Sequence, residues 1–243
     1  MELTRRGPVI SGVMPGLETD HVVSMRWAPF ETMGPRIGLD GLLSAKTARD
    51  IREALQQTDF IMLNFVSADT GGAICWQTTG RIPIRSSGDG NVPFLVQDGT
   101  EKRSGWIPYE EMPHVCNPAR GWVGTCNHLS VPKDYPYHYT SFAAPRFRYH
   151  RLSELLDAPG VKTVSDYWSM QRDTKNLMAQ RIAPLMAAAL GAHEDKKDMA
   201  AILRIWNFFD DPDLAAPAVF QSVYRAFAFR VFADELGARP WPP

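Results

Sequence analysis

NFVSADTGGAICWQTTGRIPIR, residues 64–85, is the stretch from which the rest of the chain can be read. Residues 64–69 and 73–80 are short runs with apolar, β-branched and aromatic side chains, and Thr70-Gly71-Gly72 lies between them. Glycine accepts turn torsions that other residues resist, so this spacing predicts strand, tight turn, strand. Upstream, between Leu42 and Leu55, the apolar positions Leu43, Ala45, Ala48, Ile51, Ala54 and Leu55 recur at three- and four-residue steps, which predicts an amphipathic helix. Two earlier strands are expected at 4–12 and 20–27, separated by turn chemistry at Val13-Met14-Pro15-Gly16.

Downstream, residues 81–141 are rich in proline, glycine and aromatic side chains and show little periodicity. Trp106, Tyr109, Trp122, Tyr135, Tyr137 and Tyr139 are too much apolar surface to leave in water, so these are expected to be ordered, packed loops. Beyond Arg151 the pattern turns helical, with Ser165 and Asp166 as expected N-caps and Gly191 and Gly237 as expected stops. The division expected is a β-rich part, 1–150, and a helical part, 151–243, giving an α+β fold.

Composition narrows the function classes. The 243 residues are 44% hydrophobic and 22% charged with a formal net charge of -1, which is ordinary globular composition. It offers no electrostatic footprint for nucleic acid or anionic lipid, and no apolar run approaches the roughly 20 residues of a membrane span. The opening Met1-Glu2-Leu3-Thr4-Arg5-Arg6 has no apolar core behind it and does not read as a signal peptide. Cys75, Cys116 and Cys126 are odd in number and fit no disulfide framework or C-x-x-C motif, so they are expected to be buried thiols. Cys126 with His128, and His114 or His138, is too sparse a set to predict a metal site.

Several segments, in order, resemble the catalytic chain of penicillin acylases, members of the N-terminal nucleophile hydrolases. They are TRRGPVIS (4–11), residues 64–85, GWIPYEEMPHVCNPARGWVGTCNH (105–128), DYPY (134–137) and FRYHRLSELL (147–156). Looser similarity covers 170–186 and 202–220, where Phe208 replaces the glycine of the family's Trp-Asp-Gly segment. The resemblance implies part of a four-layer αββα sandwich with long loops and a helical C-terminal half. It also implies cleavage of a linear amide, as in N-acylated β-lactams or acyl-homoserine lactones, by an N-terminal serine whose own α-amine is the base. That pairing is chemically economical, because an amine with a pKa near 8 sits beside the hydroxyl it activates.

The family's Ser-Asn-x-Trp start does not occur in residues 1–243. The expectation is therefore an internal fragment, inactive alone, whose partners are the missing N-terminal part of the β chain, the α chain of the same precursor and a small N-acyl amide. The alternative is a non-catalytic binding or scaffold homologue. By resemblance Asn127 is the oxyanion-hole donor, and its alternative is a turn asparagine. Arg148 is the active-site organising arginine, against a surface ion pair to Glu154 or Asp157. His128 stands where relatives carry a second asparagine and belongs to the substrate pocket or the loop's packing. No cofactor is expected: some relatives hold a structural calcium, but Tyr137-His138-Tyr139 offers no acid where one ligand would fall. A full-length parent is expected to be periplasmic or secreted.

Overall fold

The computed structural model describes residues 2–14, 17, 19–34, 37–86, 88–93, 95–96 and 103–236. It divides into two compact units, residues 1–144 and 145–243. Helices and strands are both present, as the α+β reading requires.

In the first unit the elements are β1 (Leu3–Thr4), β2 (Gly7–Pro8), α1 (Ala28–Thr32), α2 (Ala48–Leu55), β3 (Asn64–Ala68), β4 (Ile74–Thr78), β5 (Pro83–Arg85), β6 (Arg103–Trp106) and β7 (His114–Cys116). The hairpin forms as the sequence predicts: β3 pairs antiparallel with β4 from Asn64↔Thr78 to Ala68↔Ile74. Gly72, at φ +87°, makes the turn, and its N–H reaches the Asp69 carbonyl at 3.1 Å. β7 pairs on the other side of β4, giving the order β3-β4-β7.

Being central, β4 is buried from Cys75 to Thr78, and its polar side chains are satisfied internally. Gln77 accepts from Arg52 Nε at 2.9 Å and donates to the Thr78 carbonyl at 2.8 Å. Thr78 Oγ1 donates to the Pro113 carbonyl at 3.0 Å. The loop region packs as expected, with Ile82, Ile107 and Met112 forming a buried cluster flanked by Ile84, Tyr137 and Tyr139. Arg81 pairs with Asp59 at 2.9 Å.

Three expectations for this unit need correction. Cys75 and Cys116 are not thiols: they face each other in the β4–β7 register and form a disulfide. A count of cysteines carries no information about cross-strand register, which places these two Cα atoms 4.2 Å apart. Of the early strands, the one expected at 4–12 shrinks to the two-residue β1 and β2, and the one expected at 20–27 keeps only an isolated bridge from Ser24 to Val9. The amphipathic helix begins at Ala48, because Thr47 and Asp50 form a reciprocal capping box, and residues 40–43 make a separate 3-10 turn. Pro15 and Gly16 of the expected turn lie outside the described residues.

The second unit contains α3 (Phe147–Asp157), α4 (Val164–Gln171), α5 (Leu177–Gly191), α6 (Lys197–Arg204) and α7 (Ala215–Leu236). Its core joins Ala179, Ala183, Met186 and Ala187 of α5 to Leu203, Trp206, Ala216 and Phe220. Alanines on α5 let the neighbouring elements approach closely. The helical pattern of 165–190 is interrupted at 172–176, because Asn176 caps α5 by accepting from Ala179 N–H at 2.8 Å. Asp210 accepts from Asn176 Nδ2 at 3.0 Å and so steadies that cap. At α4 the N-cap is Thr163, while Asp166 is its capping-box partner and Ser165 lies within the first turn. Gly191 is the last residue of α5 and is not left-handed, so it does not end the helix as a glycine cap. Gly237 lies outside the described residues. Among the described residues no helix is long and apolar enough to cross a membrane.

Candidate active-site loop

The loop from Asn117 to Ser130 leaves the end of β7, with one Cys-Asn pair, 116–117, at that junction and a second, 126–127, within it. Both asparagines are left-handed, at φ +47° for Asn117 and +57° for Asn127. Asparagine tolerates this region better than other residues with a Cβ, so sequence and geometry agree locally.

The two pairs do different work. Asn117 closes the edge of β4: its N–H reaches the Ile74 carbonyl at 2.8 Å, and its Oδ1 accepts from Ile74 N–H at 2.9 Å. With the neighbouring Cys75–Cys116 disulfide, it anchors one end of the loop. Asn127 is exposed, and its carbonyl accepts from Ala144 N–H at 2.7 Å. His128 is 9% exposed, and its Nδ1 accepts from Cys126 N–H at 3.4 Å.

The aromatic residues after the loop pack edge-on against one another and tie to the turn at Glu111 through their hydroxyls. Tyr135 meets Tyr137 and Tyr139 edge-on, with ring centroids 5.7 and 6.5 Å apart. The Tyr135 hydroxyl donates to the Glu111 carbonyl at 2.9 Å, and that of Tyr137 donates to the Glu111 carboxylate. Burial pushes the Tyr135 phenol up to about 12, which keeps it a donor throughout the neutral range. Arg120 stacks over the Trp122 ring at 3.9 Å.

Arg148 belongs to the other unit, exposed in the first turn of α3. Glu154, one of its expected surface partners, pairs with Arg151 at 2.9 Å. Arg151 also holds Asp173 through both guanidinium branches, at 2.9 and 2.7 Å. That fork holds the Asp173 carboxyl below the usual carboxylate range. The second unit also has an open cleft of about 360 Å³ between α3 and α4, lined by residues including Leu155, Lys162, Asp166 and Met170, none of them a sequence-expected site residue. In the Tyr137-His138-Tyr139 stretch, His138 Nε2 lies 2.9 Å from Ser141 Oγ. Among the described residues no three His, Cys, Asp or Glu side chains gather as a metal site.

A sequence model of the penicillin amidase family matches residues 1–243, the whole chain. The chain belongs to the penicillin amidase family. It is 29% identical over 236 residues to penicillin acylase 2 proenzyme of Pseudomonas sp. strain SE83, covering 95% of this chain and 30% of that protein. It is 31% identical over 225 residues to the acyl-homoserine lactone acylase QuiP of Pseudomonas fluorescens Pf0-1, covering 84% and 27%. Among solved structures it resembles the thermostable penicillin G acylase of Alcaligenes faecalis, with a TM-score of 0.58 at 16% identity, covering 87% of this chain and 38% of that one. The chain thus spans about 30% of the length of the curated relatives it matches.

Sequence reasoning overlooked the left-handed turn at Asn117, the disulfide at the base of the loop and the Ala144 N–H that grips Asn127. The repeated Cys-Asn doublet was the available signal for the first of these. The other two depend on which strands and loops become neighbours, which spacing does not encode.

Proposed function

We propose that this chain is part of an amide hydrolase that cleaves the linear amide of N-acylated amines, with β-lactam and acyl-homoserine lactone amides as the substrate classes. In this reading it lies within a longer catalytic polypeptide and contributes a portion of an αββα sandwich. The nucleophile is an N-terminal serine supplied from outside residues 1–243, and the partner is an α chain from the same precursor. The observation that carries the proposal is the family match over the full chain.

Within that reading Asn127 donates its side-chain amide to the developing oxyanion. Such a donor is effective only when held in place beforehand, and the Asn127 backbone is fixed by its grip on Ala144. Arg148 organises polar groups around the substrate, for which a rigid, permanently charged guanidinium is suited. His128 belongs to the wall behind Asn127. The Cys75–Cys116 bridge supports a periplasmic or extracellular setting, since disulfides persist in oxidising compartments.

The test is to express the longer polypeptide that carries this chain and assay chromogenic phenylacetyl and long-chain acyl amides. Turnover is expected, and Asn127→Ala should lower kcat by about 10²–10³, the loss usual for one oxyanion donor. No hydrolysis of either substrate by correctly processed protein would leave the family fold serving a non-catalytic, scaffolding role. Unchanged kcat in the variant would remove Asn127 from catalysis.

A further inference from the structure

We propose that His128 is a positioning residue for Asn127, acting as a neutral imidazole that fixes the left-handed turn from behind. This rests on the oxyanion reading of Asn127 and names the device that would make that donor rigid.

The geometry is specific to the turn. The contact from Cys126 N–H to His128 Nδ1, 3.4 Å long, spans Asn127, so φ and ψ of Asn127 lie inside the ring that the imidazole closes. On the opposite side the Asn127 carbonyl is held by Ala144 N–H at 2.7 Å. Asn127 itself sits at φ +57°, a left-handed conformation that asparagine tolerates and that the two contacts hold. His128 is buried while Asn127 is exposed, so the histidine serves as the anchored root and the asparagine as the presented tip.

Chemistry fixes the tautomer. Nδ1 accepts from an amide only when it carries no proton, so the proposed role requires the tautomer with its proton on Nε2. The link needs an acceptor two residues after Cys126, and an asparagine carbonyl at 128 also supplies one.

The experiment is a double-mutant cycle in the longer polypeptide that carries this chain, with kcat expressed per titrated active site. His128→Ala is expected to lower kcat by about 10-fold or more with KM little changed, because a displaced donor costs transition-state stabilisation rather than ground-state binding. His128→Asn should recover most of that loss. In an Asn127→Ala background His128→Ala should have almost no further effect, because the histidine acts only through the asparagine. A purely structural histidine would reduce the amount of titratable enzyme but leave kcat per site unchanged, and independent, multiplicative losses in the cycle would equally overturn the proposal. Amide hydrogen exchange at Cys126 separates this result from failure of the amidase reading. If the polypeptide hydrolyses no acyl amide, His128→Ala must still expose the Cys126 N–H to faster exchange and His128→Asn must not. Equal protection in all three proteins rejects the positioning role whatever the activity.

Discussion

Phe208 shows what a single residue can cost and return. It stands at φ +64°, where a bulky side chain is an outlier, at the position where the resemblance expects glycine. Left-handed backbone costs a residue with a Cβ roughly 1–2 kcal/mol. The ring returns part of that by packing on Trp206, with centroids 5.6 Å apart, and by lying 5.4 Å from the Lys175 ammonium. Its carbonyl meanwhile accepts from Asn176 N–H at 2.8 Å, so the strained turn is tied to the cap of α5. Phe208→Ala loses the ring and keeps the strain, and it should destabilise the protein by about 1–3 kcal/mol. Phe208→Gly loses the same ring but releases the strain, and it should be more stable than the alanine variant by about 1 kcal/mol, reversing the usual order of the two residues. Chemical denaturation of both variants checks this, and an alanine variant at least as stable as the glycine one would contradict it. Asn127, left-handed too, was singled out in the sequence only through family resemblance. No spacing rule distinguishes a presented amide from an ordinary turn asparagine, because spacing does not encode longer-range contacts such as that of Ala144 N–H with the Asn127 carbonyl.

At the scale of elements, helix boundaries follow from hydrogen-bonding side chains rather than from apolar period. The three- and four-residue steps were enough to foresee α2, but its first turn is decided by Thr47, which accepts from Asp50 N–H at 3.1 Å. Thr47→Ala should therefore cost about 1 kcal/mol, measurable as a lowered melting temperature, with little change at Ser44 on the preceding turn. The β3–β4 hairpin was legible because turn and strands are contiguous. The early strands were not, because pieces of two residues leave almost no pattern, and the break between α4 and α5 was hidden by an apolar period that runs through it. That break is held by Asp173, whose carboxylate receives the Arg151 fork with only 13% of its side chain exposed. Because folding lowers the pKa of this carboxyl, its contribution is fully present above the unfolded value of ~4 and is lost as pH falls through the native one. Asp173→Asn should cost about 1–3 kcal/mol at pH 7 and much less at pH 3, so the two proteins' melting temperatures converge on acidification. A gap that stays constant with pH would assign the loss to packing instead.

For the whole molecule, two features bear on how the chain is kept folded. The disulfide closes a segment of 41 residues that contains β5, β6 and the loops around them, so replacing Cys75 and Cys116 together by alanine should cost about 2–4 kcal/mol. Reductant should lower the melting temperature of the parent and leave that variant unchanged. The second feature is α7, whose apolar residues are spread around the helix, between Gln221, Arg225 and Arg230, rather than confined to one face. Ala216 and Phe220 enter the core, while Phe227 and Phe232 are 61% and 54% exposed. A helix with exposed phenylalanines outside its core-facing side is suited to further contacts, and on the proposed reading polypeptide outside residues 1–243 supplies them. Residues 1–243 expressed alone should then self-associate with rising concentration and bind a hydrophobic dye. Phe227→Lys with Phe232→Glu should suppress both effects. The same pair introduced into the longer polypeptide should act in the opposite direction, lowering the yield of assembled protein, because there it buries two charges without partners. If the pair is harmless in the longer protein, that end of α7 faces water in both settings and the exposed phenylalanines do not mark a buried contact.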